Sequence, residues 1–207
     1  MKIFIFTGFL GSGKTTALLD MAKWLSREAD PSSIVVIENE IGEANVDGKL
    51  MAESGYAVRD LTSGCICCTL SGQLVAALEE IRAELKPRWL LIEATGIAHQ
   101  TIADVIRQSI VGLSPFSLVL ADAGRWDELM ENLPMLISTQ IENADFVFIN
   151  KADLLTEDEL NRIELEIGEI NENAPCLRIS AARGGSDEMW RKVVDYAHTG
   201  TNAPFSG

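Results

Sequence analysis

Cys65, Cys67 and Cys68 lie within the stretch GCICCTL at positions 64–70. Thiolates are soft donors suited to zinc and other late transition metals. A structural zinc site wants four protein ligands, and the side chains of adjacent Cys67 and Cys68 diverge in an extended backbone. The three cysteines therefore read as an open, incomplete metal set. Two other readings stand beside it. Cys65 and Cys68 form a CxxC pair just ahead of a helical pattern starting near Leu70, and a helix N-terminus lowers a thiol pKa and favours redox exchange. The cluster can also be plain packing. Its crowding does not suit a disulfide framework. Cys176, the fourth cysteine, stands alone before an apolar run and reads as core.

A second motif binds phosphate. Gly8-Phe9-Leu10-Gly11-Ser12-Gly13-Lys14-Thr15 matches GxxxxGK[ST] at every fixed position. A strand-like run precedes it and a helical pattern with Leu18, Leu19, Ala22 and Leu25 follows, as a phosphate loop requires. Glycines let backbone N–H groups converge on an anion, and the helix N-terminus adds a favourable dipole. Lys14 is expected to reach the β- and γ-phosphates and Thr15 to offer its hydroxyl to Mg²⁺. Gly8, Gly11, Ser12, Gly13 and Thr16 complete the nucleotide-binding set. Phe9 and Leu10 stand where some dimeric P-loop ATPases carry an extra lysine, which disfavours that subclass. The plain alternative is a glycine-rich turn with no ligand.

Asn150-Lys151-Ala152-Asp153 follows another apolar run. A carboxylate at Asp153 can accept from both N1–H and the 2-amino group of guanine; adenine offers no matching donors. Asn150 can bridge base edge and phosphate loop, and the Lys151 stem can cover the ring. At Ser180-Ala181 a backbone N–H is expected to meet guanine O6. NKxD alone is a weak signal; after a late strand of a P-loop chain it is strong. In LLIEATG at 90–96, Glu93 ends an apolar run where the Mg²⁺ sphere is usually completed, and Gly96 is expected to sense the γ-phosphate. A surface turn and a plain strand end are the corresponding bland readings.

The elements that must position these residues are legible as alternating patterns. Short aliphatic runs at 3–7, 34–37, 89–92, 117–121, 146–149 and 177–179 read as buried strands. Leu70, Leu74, Leu78, Ile81 and Leu85 share one helical face, as do Leu160, Ile163, Ile167 and Ile170. Thr156 with Glu159 makes a capping box, and Ser186 can cap a last helix. This order predicts an α/β fold of P-loop NTPase type, with a mainly parallel central sheet and helices on both faces. Residues 38–64 are polar and irregular and predict a mobile functional loop. One domain is expected over 1–198, with a disordered tail at 199–207.

Composition narrows the classes. With 17 basic and 31 acidic residues the chain carries a formal charge of −14 and has no basic cluster, which argues against nucleic acid as a main partner. No apolar run reaches the ~20 residues of a membrane span. The N-terminus lacks a signal-peptide cleavage site, so a cytoplasmic protein is expected.

Taken together, the motifs resemble the CobW/HypB/UreG family of metal-associated P-loop GTPases, most closely its CobW-like branch. The resemblance rests on TGFLGSGKTT at 7–16, IENEIGE at 37–43, GCICC at 64–68, IEATG at 92–96 and NKAD at 150–153, in the family's order. It implies a Mg²⁺-dependent GTPase, binding GTP and GDP, that couples hydrolysis to delivery of zinc, cobalt or a corrinoid cofactor to a client enzyme, or to that enzyme's activation. It also implies that Cys65, Cys67 and Cys68 are the metal motif. Glu38 and Glu43 match acidic switch positions that can share that metal. Asp47 sits where a switch acid touches Mg²⁺ or orients the attacking water. A homodimer dependent on nucleotide is a further expectation of the resemblance. The chain departs from the fuller family pattern: no histidine-rich stretch is present, only His99 and His198, and it ends soon after the GTPase fold. Arg59 and Arg125 are isolated basic residues that qualify as arginine-finger candidates. Rival readings are a small-molecule P-loop kinase using ATP, and a metal-sensing binding protein with incidental GTPase activity.

Overall fold

The structure, a computed structural model, describes residues 1–38, 57–60, 70–94, 99–110 and 112–199, with backbone alone at 38, 58–60, 70, 71, 73, 99 and 100. Seven strands form one sheet: β1 (Lys2–Gly8), β2 (Ile34–Glu38), β3 (Ala57–Asp60), β4 (Trp89–Glu93), β5 (Pro115–Asp122), β6 (Phe146–Asn150) and β7 (Cys176–Arg178). Their order is β3-β2-β4-β1-β5-β6-β7, and each neighbouring pair is parallel. The helices are α1 (Lys14–Glu28), α2 (Leu70–Glu84), α3 (His99–Ser109), α4 (Trp126–Asn132), α5 (Pro134–Glu142), α6 (Glu157–Ile170) and α7 (Asp187–Thr199).

The strands read as continuous apolar runs because both faces are covered. On one face Phe4, Phe6, Leu118, Leu120, Phe146 and Phe148 pack under α1 and α7, through Leu18, Met21, Leu25, Trp190 and Val193. On the other face Ile3, Ile5, Val35 and Leu90 meet Leu74, Leu78, Ile102 and Ile106 of α2 and α3. Further along, Val119, Val147 and Ile149 meet Trp126, Ile137, Leu160 and Ile163 of α4, α5 and α6. The expected three-layer α/β architecture is present.

The strand ends shift by one or two residues from the sequence reading, Ile179 falling after β7, and α3, α4 and α5 were not among the helices expected; two further differences concern the irregular segment and the tail. β3 lies inside the segment expected to be irregular; at four residues, with Arg59 and Asp60 in it, an edge strand leaves no apolar run to detect. Thr199, assigned to the tail, is the last residue of α7. The capping box at Thr156 and Glu159 opens α6, and the Ser186 hydroxyl accepts from Met189 N–H at 3.1 Å at the start of α7. Among the described residues no helix is long and apolar enough to cross a membrane.

Candidate functional site

The carboxyl ends of β1, β4, β5 and β6 meet at one edge of the sheet, where ligands bind in open α/β folds. β1 ends at Gly8 and the chain turns back at once: Ser12 N–H donates to Phe9 O at 3.1 Å, with Gly11 at φ +75°. Gly13, at φ +97° and ψ 22°, precedes α1, and no side chain caps that helix. Its first N–H groups therefore face outward as an anion site. A Cβ on Gly13 would collide with Asn150 Nδ2, so only glycine fits there. Lys14 is 8% exposed and its Nζ donates to Phe9 O at 3.2 Å, holding the ammonium across the loop. The Ser12 hydroxyl is buried without a partner among the described residues, a polar atom left for a ligand or water. Thr16 follows, exposed, in the first turn of α1.

Beside the loop, the Thr15 hydroxyl donates to Glu93 Oε1 at 3.0 Å, and Glu93 is buried at the end of β4. A hydroxyl and a carboxylate side by side at the foot of an anion cradle are the hard oxygen donors that Mg²⁺ takes. The residues present fit that ion. Ile37 pairs with Ile92, so Glu38 ends β2 level with Glu93 on the neighbouring strand.

The base half of the site hangs on Asn150. Its Nδ2 donates to Ser12 O at 2.7 Å, and its Oδ1 accepts from Ala181 N–H at 2.8 Å. One buried amide thus ties the phosphate loop, the end of β6 and the turn after β7. The Ala181 N–H, expected to face a base, is engaged by Asn150. Lys151 adopts φ +64° and its Nζ donates to Asp122 Oδ2 at 2.7 Å. Asp153 is held below the usual carboxylate pKa by a hydrogen bond from the Ser180 hydroxyl, helped by the nearby Arg183 guanidinium, whose Nη2 lies 3.2 Å from Asp153 Oδ2. An ionised acceptor at this position is what guanine N1–H and the 2-amino group require.

Sequence reasoning missed Asp122. It is 1% exposed at the end of β5, and its Oδ2 accepts from Lys151 Nζ and, at 3.1 Å, from Arg125 Nε. Its Oδ1 has no partner among the described residues. The signal was available: an acid closing the apolar run PFSLVLAD is the same pattern that singles out Glu93. Arg125, considered for a finger, is committed on one side to Asp122 and on the other to Leu10 O, at 2.6 Å.

Cys65, Cys67, Cys68, Glu43, Asp47 and Gly96 lie outside the described residues. Among the described residues no group of three His, Cys, Asp or Glu side chains is placed to hold a metal. Cys176 is partly buried against the α6 side of the core, and burial pushes its thiol up to about 12. The His198 ring is satisfied locally, with Nδ1 2.6 Å from Val194 O and its edge on Trp89.

Comparison with known proteins gives the chain a family. The family model described as CobW/HypB/UreG, nucleotide-binding domain, matches residues 2–178. The zinc chaperone YjiA of Escherichia coli is 30% identical over 196 residues, which cover 87% of this chain and 58% of YjiA. The zinc-regulated GTPase metalloprotein activator 1 of Dictyostelium discoideum is 27% identical over 219 residues, covering 86% of this chain and 45% of that protein. The chain thus spans about half the length of the curated relatives it matches. Among solved structures, HypB from Helicobacter pylori in complex with nickel superposes with a TM-score of 0.66 at 17% identity, covering 100% of this chain and 92% of HypB, a likeness of fold. With the family model covering most of its length, this chain belongs to the CobW/HypB/UreG family through its nucleotide-binding domain.

Proposed function

We propose that this chain is a Mg²⁺-dependent GTP-binding protein that hydrolyses GTP to GDP and phosphate, and that the nucleotide state governs transfer of a metal or metallocofactor to a client enzyme. The observation that carries the nucleotide part is the pair of hydrogen bonds made by Asn150, donated to Ser12 O and accepted from Ala181 N–H, which fixes phosphate loop and base loop in one frame. In this reading Gly8, Gly11, Ser12, Gly13, Lys14, Thr15 and Thr16 hold the phosphates. Lys151 covers the guanine ring, Asp153 reads its donors, and the Ser180–Ala181 turn borders its O6. Mg²⁺, when bound, supplies charge neutralisation at the β- and γ-phosphates; Thr15 and Glu93 would hold it. Lys14 leaves Phe9 O for the phosphates and stabilises the charge that develops as the terminal phosphoryl departs.

The metal part draws on the cysteine motif and on the relatives named zinc chaperone and GTPase metalloprotein activator. Cys65, Cys67 and Cys68 are proposed to carry zinc or another late transition metal as cargo, with Glu38 or Glu43 filling the coordination shell. Asp47 and Gly96 are proposed to sense the γ-phosphate. The client is a metalloenzyme or corrinoid protein, and the active unit a homodimer formed with nucleotide in a cytoplasmic setting. One chain-wide domain over 1–198 is part of the same proposal.

The base assignment has a direct test. Asp153→Asn replaces two acceptors by one acceptor and one donor, which suits the 2-carbonyl of xanthine instead of the 2-amino group of guanine. GTP affinity should fall by roughly a hundredfold and XTP affinity should rise. Unchanged GTP binding, or tighter binding of ATP than GTP by the wild-type chain, would favour the kinase reading instead.

A further inference from the structure

The Phe9–Ser12 turn closes with Ser12 N–H on Phe9 O, and Gly11, its third residue, has φ +75°. Leu10 is not among the described residues with positive φ. That combination is the type II turn; type I keeps the same closing bond with the central peptide flipped. The central peptide is Leu10–Gly11. Because a trans peptide points its C=O and N–H in opposite directions, whatever holds Leu10 O decides where the Gly11 N–H points. Arg125 holds it. Its Nη2 donates to Leu10 O at 2.6 Å, its Nε donates to Asp122 Oδ2 at 3.1 Å, and its guanidinium lies 5.4 Å from the centroid of the Phe9 ring. Asp122 is buried and fixed in turn by Lys151 at 2.7 Å, so the guanidinium has a rigid seat.

We propose that Arg125 is a positioning residue of the phosphate loop: it keeps the Leu10–Gly11 peptide in the type II orientation, with the Gly11 N–H turned into the loop toward a bound phosphate. This rests on the guanine-nucleotide reading above and deepens it. The charge logic supports the assignment. An anion site needs N–H groups inward and carbonyls turned away. Here a cation sits on each of two carbonyls of the turn, Lys14 on Phe9 O and Arg125 on Leu10 O. Arg125 is held by a buried carboxylate as well as by the carbonyl, which fixes it beside the loop. The planar fork of arginine lets one side chain engage both acceptors. Through Arg125, Leu10 on the phosphate side is tied to the same buried carboxylate that accepts from Lys151 on the base side.

The test uses the full chain with Mg²⁺. Arg125→Met keeps an apolar stem against Phe9 and removes every donor; Arg125→Lys returns one cation able to reach Leu10 O. GDP affinity by calorimetry should fall about tenfold in R125M and recover in part in R125K. The Gly11 amide resonance, which should shift on GDP addition in the wild type, should shift less in R125M at saturating GDP. A merely structural role would instead lower the melting temperature of R125M while leaving the Gly11 response to GDP intact, and that result would overturn the proposal. So would R125M binding GDP as the wild type does. Failure of the wild-type chain to bind GDP at all would overturn the nucleotide reading and this proposal with it, a result distinct from either of the others.

Discussion

Asp145 shows how a single residue reports the cost of building this sheet. It stands just before β6, and its Oδ2 accepts from Ser117 N–H at 2.7 Å in β5. Burial nevertheless raises its pKa, the Ser117 bond and the Arg107 charge offsetting only part of the shift. The sign follows: a carboxyl whose folded pKa lies above its unfolded value adds stability below the unfolded value, and loses it as pH rises through the folded value. Asp145→Asn keeps an acceptor for Ser117 and removes the ionisation. At pH 7 it should melt roughly 1–2 °C above the wild type. The advantage should shrink toward zero below about pH 4, and thermal scans across pH 3–8 measure it. Side chains of this kind are invisible to motif reading, since nothing in the sequence around Asp145 distinguishes a desolvated acid from a surface one. Lys14, Thr15, Asn150 and Asp153 were legible because the phosphate and base loops demand fixed residue types at fixed spacing; Asp122 was missed, and Arg125 was considered only as a finger, because their contacts arise from β1, β5 and β6 being neighbours.

At the scale of elements, α1 does two jobs. Its N-terminus is the proposed anion site, and further along Asp20 Oδ2 accepts from Gly185 N–H at 2.5 Å and from Trp190 Nε1 at 2.8 Å. The turn carrying Ser180 and Ala181 is thereby pinned to the helix that carries Lys14 and Thr15. Asp20→Ala leaves a buried indole N–H and a loop N–H without acceptors. It should cost about 2 kcal/mol of unfolding free energy, read as a lower urea midpoint at unchanged slope. A midpoint equal to the wild type would show that the turn is held by its other contacts. The strands and amphipathic helices were mostly readable from aliphatic runs and 3.6-residue periodicity. β3 was not, because a four-residue edge strand owes its existence to pairing with β2 rather than to its own pattern. Strand order was equally out of reach: that β1 sits between β4 and β5, bringing Thr15 to Glu93, follows from crossovers rather than from local sequence.

For the whole molecule, the parallel sheet gathers the ends of β2, β4, β1, β5 and β6 along one edge. Glu38, Glu93, the phosphate loop, Asp122 and Asn150 line up there in that spatial order. In sequence the cysteine motif lies between β3 and α2, within residues 61–69. A nucleotide that orders the γ-phosphate side of the edge is therefore proposed to alter the geometry offered to a metal by Cys65, Cys67 and Cys68. Linkage makes the effect reciprocal: metal must change GTP affinity by the factor with which GTP changes metal affinity. The most direct measurement is calorimetric titration of the full chain with a non-hydrolysable GTP analogue, with and without Zn²⁺, beside a Cys65/Cys67/Cys68→Ser triple variant. The expected result is a GTP affinity that differs about fivefold or more with Zn²⁺ present, and a triple variant that binds the analogue normally but shows no such difference. Equal affinities with and without metal, across Zn²⁺, Co²⁺ and Ni²⁺, would contradict it.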